Sequence, residues 1–169
     1  IQEKTDATSA DAEAITVTEA GRICFLGTST QLVQGLGFQN FPVVGCLTPE
    51  GEPDTAFDSD GFAFLKSSLS ELGSNPDIFA ADIGIDPTTG DLVIGGTIFP
   101  DDTERAFWLF RMAADGDPNG EGKGQETVIR FPDEEADFGS LTFLPNGDIL
   151  ALGSVGVPFT GEGGFDTAI

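Results

Sequence analysis

Three stretches of the chain read alike: "AITVTEAGRICFLGTS" from Ala14, "DIGIDPTTGDLVIGGT" from Asp82 and "SLTFLPNGDILALGS" from Ser140. Each is a strand pattern, a turn closed by a glycine (Gly21, Gly90, Gly147), then an apolar strand ending in Gly and Ser or Thr. A unit recurring about every 60 residues constrains the fold strongly, because repeats of this size are single supersecondary modules that bury their faces by stacking on one another. A second block follows the first two copies, "FPVVGCLTPEGEPDTAFDSDGFAFLK" from Phe41 and "FWLFRMAADGDPNGEGKGQETVIRF" from Phe107, whereas the third copy has only "FDTAI".

Each full unit holds four predicted strands, at 12–18, 22–28, 41–47 and 62–67, then at 79–86, 91–97, 107–113 and 125–131. Four antiparallel strands per unit predict an all-β chain, a partial β-propeller of about two and a half four-stranded antiparallel blades. Segments such as "LVIGG" and "ILALG" are apolar at every position, the pattern of a sheet covered on both faces. The chain then divides into 1–10 (an extension or the end of a preceding blade), 11–75, 76–134 and an incomplete third unit, 135–169. A closed propeller takes about four to eight blades, so further blades are expected from the same polypeptide, from another chain or from copies of this one. The terminal sheets are each expected to show an apolar face.

The pattern "TGDLVIGGT" followed by "FWLFRMAADGDPN" resembles the delta-60 repeat of bacterial surface and secreted proteins, over about Asp11 to Ile169. The resemblance implies a β-propeller, export to the cell surface or beyond, and a structural or binding role, with no catalytic site to carry over. Glu19-Ala20-Gly21 replaces the family's Pro-Asp-Gly, and a longer loop is expected around "QLVQGLGFQN" (Gln31 to Asn40).

Chemistry is sparse. The formal net charge of −22, from 29 acidic and 7 basic residues, argues against nucleic acid and anionic membranes, since phosphate recognition needs clustered Lys and Arg. It suits solubility by self-repulsion, in a salty medium or in any extracellular one. No run of about 18 apolar residues is present to span a bilayer. With no histidine, Ser–His and Cys–His catalysis are excluded. A propeller enzyme, either a two-carboxylate hydrolase or a cofactor-bearing one, remains an alternative, with its active residues in acidic loops or in further blades.

The acidic turns 49–54, 58–61 and 115–122 are the candidates for calcium, which takes hard oxygen ligands, or are simply turns in which Asp and Asn bond their own backbone. Residues 115–126, "DGDPNGEGKGQE", match the EF-hand loop pattern, yet the sibling unit has Thr55 for the required Gly120 and Gly61 for Glu126. Lys123 would oppose a cation and Glu126 reads as strand, so Asp115, Asp117 and Asn119 are left as a calcium-holding hairpin loop without helices. Pairing Gly27 with Val43 sets Cys24 opposite Cys46, close enough for either a disulfide or two buried thiols, and the exported setting that the resemblance implies favours the bridge. Phe38, Phe41, Phe107 and Trp108 are read as a ligand groove or, more simply, as core.

Overall fold

The computed structural model describes residues 7–34, 37–67, 69, 76–100, 105–116, 124–132, 134–156 and 165–168. They form three antiparallel sheets, and none of them is helical. The first sheet runs β1 (Ala7–Val17), β2 (Ile23–Val33), β3 (Gly37–Leu47) and β4 (Phe62–Phe64), each strand beside the next. The middle sheet repeats that order with β5 (Asp77–Ile85), β6 (Leu92–Phe99), β7 (Ala106–Met112) and β8 (Gln125–Ile129). The third has β9 (Glu135–Phe143), β10 (Ile149–Gly156) and β11 (Phe165–Ala168).

Local chemistry sets each first hairpin. At Glu19-Ala20-Gly21 the chain turns with Gly21 N–H bonded to Thr18 O at 2.9 Å and Gly21 at φ +82°, a left-handed conformation that costs a glycine nothing. Gly90 and Gly147 are likewise left-handed, at +79° and +86°, with Gly147 N–H on Leu144 O at 2.9 Å and Gly90 N–H on Asp86 O at 2.8 Å, one residue further back. A second shared device lies inside the hairpins. Glu13, Ala81 and Gly139 are the extra residues of β-bulges in β1, β5 and β9, between Ala12 and Ala14, Ala80 and Asp82, and Phe138 and Ser140. The bulge kinks the strand and pushes a carbonyl inward (that of Asp11, Phe79 or Asp137) against the opposing strand. There Gly27, Gly96 and Gly153 stand, because a Cβ at any of the three would collide with that oxygen. This is why "LGTS", "GGT" and "LGS" follow the apolar run.

The sheets stack face to face. β5 lies across β1, β2 and β3, and β9 lies across β5, β6 and β7. One face of the middle sheet, with Ile94, Trp108 and Phe110, packs against Leu26, Val44, Cys24 and Cys46 of the first sheet. Its other face meets the third sheet through Phe107, Phe138, Ala136 and Val155, with the Phe107 and Phe138 rings edge to face at 5.3 Å between centroids. The middle sheet is thus covered on both sides, and β6 is buried at every position but its last. Burying a large side chain such as Leu or Ile is worth about 1.5–3 kcal/mol, so these two interfaces carry much of the fold's stability.

The "QLVQGLGFQN" stretch departs from the expected long loop. β2 continues to Val33 and β3 starts at Gly37, so most of it is paired strand. The reason is an additional partner: β1 reaches back to Ala7, which pairs with Gln31, while Thr30 donates its hydroxyl proton to Asn40 Oδ1 at 2.7 Å across the hairpin. β4 is shorter than the 62–67 prediction, and Leu65 N–H instead bonds Pro42 O at 2.9 Å.

Candidate interaction faces and the acidic turn end

Cys24 pairs with Cys46 across β2 and β3 and Gly27 with Val43. The two sulfurs are bonded, and both cysteines are wholly buried in the interface with the middle sheet. At the corresponding place in the middle sheet Val93 pairs with Arg111, so the bridge reinforces one sheet rather than a shared design.

Among the described residues, nothing covers the opposite face of the first sheet. Ile15 pairs with Phe25, Phe25 with Gly45 and Gly45 with Phe62, which puts all four on one side. The Phe25 ring lies over Gly45 and meets Phe62 edge to face at 6.0 Å, filling space that a Cβ would occupy. On this face Ile15 and Val17 are 67% and 58% exposed, a large apolar surface in water. Among the described residues, the third sheet has an open face as well. Ala151 and Leu141 pack inward, and the alternation of β10 turns Leu150 and Leu152 outward, 45% and 43% exposed.

Acidic groups gather at the end of the sheets where the β1–β2, β3–β4, β5–β6 and β7–β8 connections lie. Arginines organise them. Arg22 Nε donates to Asp54 Oδ2 at 2.6 Å and its Nη1 to the carbonyl of Ala114 at 2.5 Å, tying the first sheet's loops to the middle sheet. The loop after β3 inserts Phe57 into the core, and Asp58 N–H bonds the Asp115 carbonyl at 3.2 Å. Arg111 Nη1 donates to the buried Asp86 at 2.5 Å and approaches Asp91 at 3.4 Å. Asp86 also accepts from the hydroxyl of Thr88 at 2.6 Å and its N–H at 2.7 Å. These Thr88 bonds, aided by Arg111, hold the Asp86 carboxyl well below the usual carboxylate range. A carboxyl so firmly ionised has no proton to give as a general acid. Between the middle and third sheets Arg105 binds Glu135 and, at 2.7 Å, Asp137. Its guanidinium is shifted upward by the Glu135 hydrogen bond first.

Of the proposed calcium ligands, Asp115 is exposed in the turn after β7, with Gly116 at φ +81° and its N–H on Ala113 O at 3.0 Å. Asp117 and Asn119 lie outside the described residues, as does Lys123. Among the described residues no three acidic or cysteine groups converge on one point. Glu126 is a β8 residue and accepts the Trp108 indole N–H at 2.7 Å. Phe41, Phe107 and Trp108 are buried in the core, while Phe38 is exposed beside Leu32 at the tip of the β2–β3 hairpin. Sequence reasoning missed Arg22, Arg105, Arg111 and Asp86. Arginine is scarce in this acidic chain, and that scarcity was the available signal: Arg105 and Arg111 each hold two carboxylates, and Arg22 holds one together with a backbone carbonyl. No helix among the described residues is long and apolar enough to cross a membrane.

No family model, no curated protein and no solved structure matches this chain.

Proposed function

We propose that the chain is a segment of a β-propeller of the delta-60 repeat type, a non-enzymatic, exported protein that works by stacking and presenting surfaces within a larger assembly. The observation that carries this reading is the open apolar face of the first sheet, where Ile15 and Val17 stand in water on the side away from the core. In the middle sheet the matching face, with Ile83 and Ile94, is covered by a neighbouring sheet. A sheet apolar on both faces and covered on one is built for another layer. The buried Cys24–Cys46 bridge supports an oxidising, exported setting. The absence of histidine and the arginine-clamped carboxylates favour binding over catalysis.

The test is a titration of the folded chain with the neutral dye Nile red, which reports apolar surface without being repelled by the negative charge. Emission is expected to rise with the wild-type chain and to fall for Ile15→Glu combined with Leu152→Glu. A folded monomer that leaves the dye dark would overturn the reading.

A further inference from the structure

We infer that the layer which covers the open face of the third sheet is the first sheet of a second copy of this chain, docked head to tail. The inference rests on the stacked-layer reading above and names the partner. Its ground is that the molecule already makes this interface twice, in one direction. The face of the first sheet bearing Cys24 and Leu26 meets the face of the middle sheet bearing Ile83 and Ile94. The other face of the middle sheet, bearing Val93, Gly95 and Phe107, meets the third sheet's Leu141, Phe138 and Ala151.

In both cases the first strand of the later sheet lies across three strands of the earlier one, β5 on β1–β3 and β9 on β5–β7. The third sheet, β9–β11, offers the same three-strand platform. Leu150 and Leu152 occupy on it the places that Val93 and Gly95 occupy on the middle sheet and Cys24 and Leu26 on the first, counted from the turn glycines Gly147, Gly90 and Gly21.

The occupant must bring a bulged first strand with an apolar residue two places beyond its bulge. Ile83 and Leu141 fill that role in the two existing interfaces, beyond the bulges at Ala81 and Gly139. β1 has the same build: a bulge at Glu13, then Ile15, then Val17, all on an open sheet. The open faces at the two ends are therefore complementary halves of one directional contact, a heterologous interface that generates a ring or a filament. The net charge of −22 on each copy opposes the contact at low ionic strength, so association strengthens as salt screens the repulsion, the reverse of what a basic partner would show.

The experiment is light scattering on the full chain over a range of concentrations in about 0.5 M salt, where screening acts within a few ångströms. The mass is expected to rise from 17.6 kDa to at least twice that value as concentration increases. Ile15→Glu and Leu152→Glu are each expected to abolish assembly alone, and their mixture to form a one-to-one pair that grows no further, because each variant keeps the face the other lost. Val17→Glu with Leu150→Glu repeats the design at different positions, and Trp108 fluorescence verifies that every variant is folded. A single variant that still pairs with itself would show like faces meeting and overturn the head-to-tail contact. A wild-type chain that stays monomeric overturns it too. If that monomer lights Nile red and Leu152→Glu dims it, the stacked-layer function stands with another partner. If it does not, both fail.

Discussion

The indole N–H of Trp108 donates to Oε1 of Glu126 at 2.7 Å, joining the centre of β7 to the edge strand β8. Trp108 is wholly buried, so its polar atom needs that partner. Glu126→Ala is expected to leave the indole unsatisfied and to cost about 1–3 kcal/mol. Urea titration followed by the fluorescence of this single tryptophan measures it. An unchanged midpoint would mean that the bond is not maintained in solution.

The Cys24–Cys46 bridge closes a loop of sequence separation 22 in a fully buried setting. In the chain-entropy account a loop of that size is worth about 3 kcal/mol. The double variant Cys24→Ala with Cys46→Ala is expected to unfold at correspondingly lower denaturant, and reductant is expected to act on the wild type slowly unless denaturant opens the sheet. Thiol titration before and after unfolding checks the second point.

Gly96→Ala tests the bulge. A methyl group at this position runs into the carbonyl of Phe79, which is backbone and cannot swing aside. A loss of about 1–3 kcal/mol is expected, as for other overpacked sites. Thermal melts of Gly96→Ala should show it, and melts of Gly27→Ala should show a similar loss, because the Asp11 carbonyl stands in the same relation there.

Asp86 gives a pH prediction. Its folded carboxyl titrates below its unfolded counterpart, chiefly through the Thr88 hydrogen bonds and then Arg111. The stability it supplies is therefore complete above the ordinary Asp range, about pH 4, and drains away as pH falls from there through the lowered folded value. Asp86→Asn is expected to lower the melting temperature at pH 7 and to flatten the decline of melting temperature below about pH 4. A variant that melts with the wild-type slope in acid would remove Asp86 as the cause.

Strand order and register were legible because they are local. Turn glycines mark where the chain reverses, and alternation on each side counts residues outward, which is how Cys24 could be set opposite Cys46 from the letters alone. Boundaries were less legible where a distant partner extends a strand, as β1 does for the far end of β2. The acidic turns were visible, but not their arginine clamps. Arg22 reaches Ala114 and Arg105 reaches Glu135 across gaps in sequence that no spacing rule encodes.

What the sequence by itself determined is the all-β character, the hairpins and the double-sided apolar strands, since φ/ψ preferences and side-chain alternation act between near neighbours. Only the tertiary structure decided which side of each sheet turns toward its neighbour, where the arginine clamps close, and that Glu126 serves the Trp108 indole. Those outcomes depend on excluded volume and desolvation between layers whose residues lie far apart in the chain. Bulge carbonyls, glycine notches and phenylalanine rings can be matched only once the sheets are stacked.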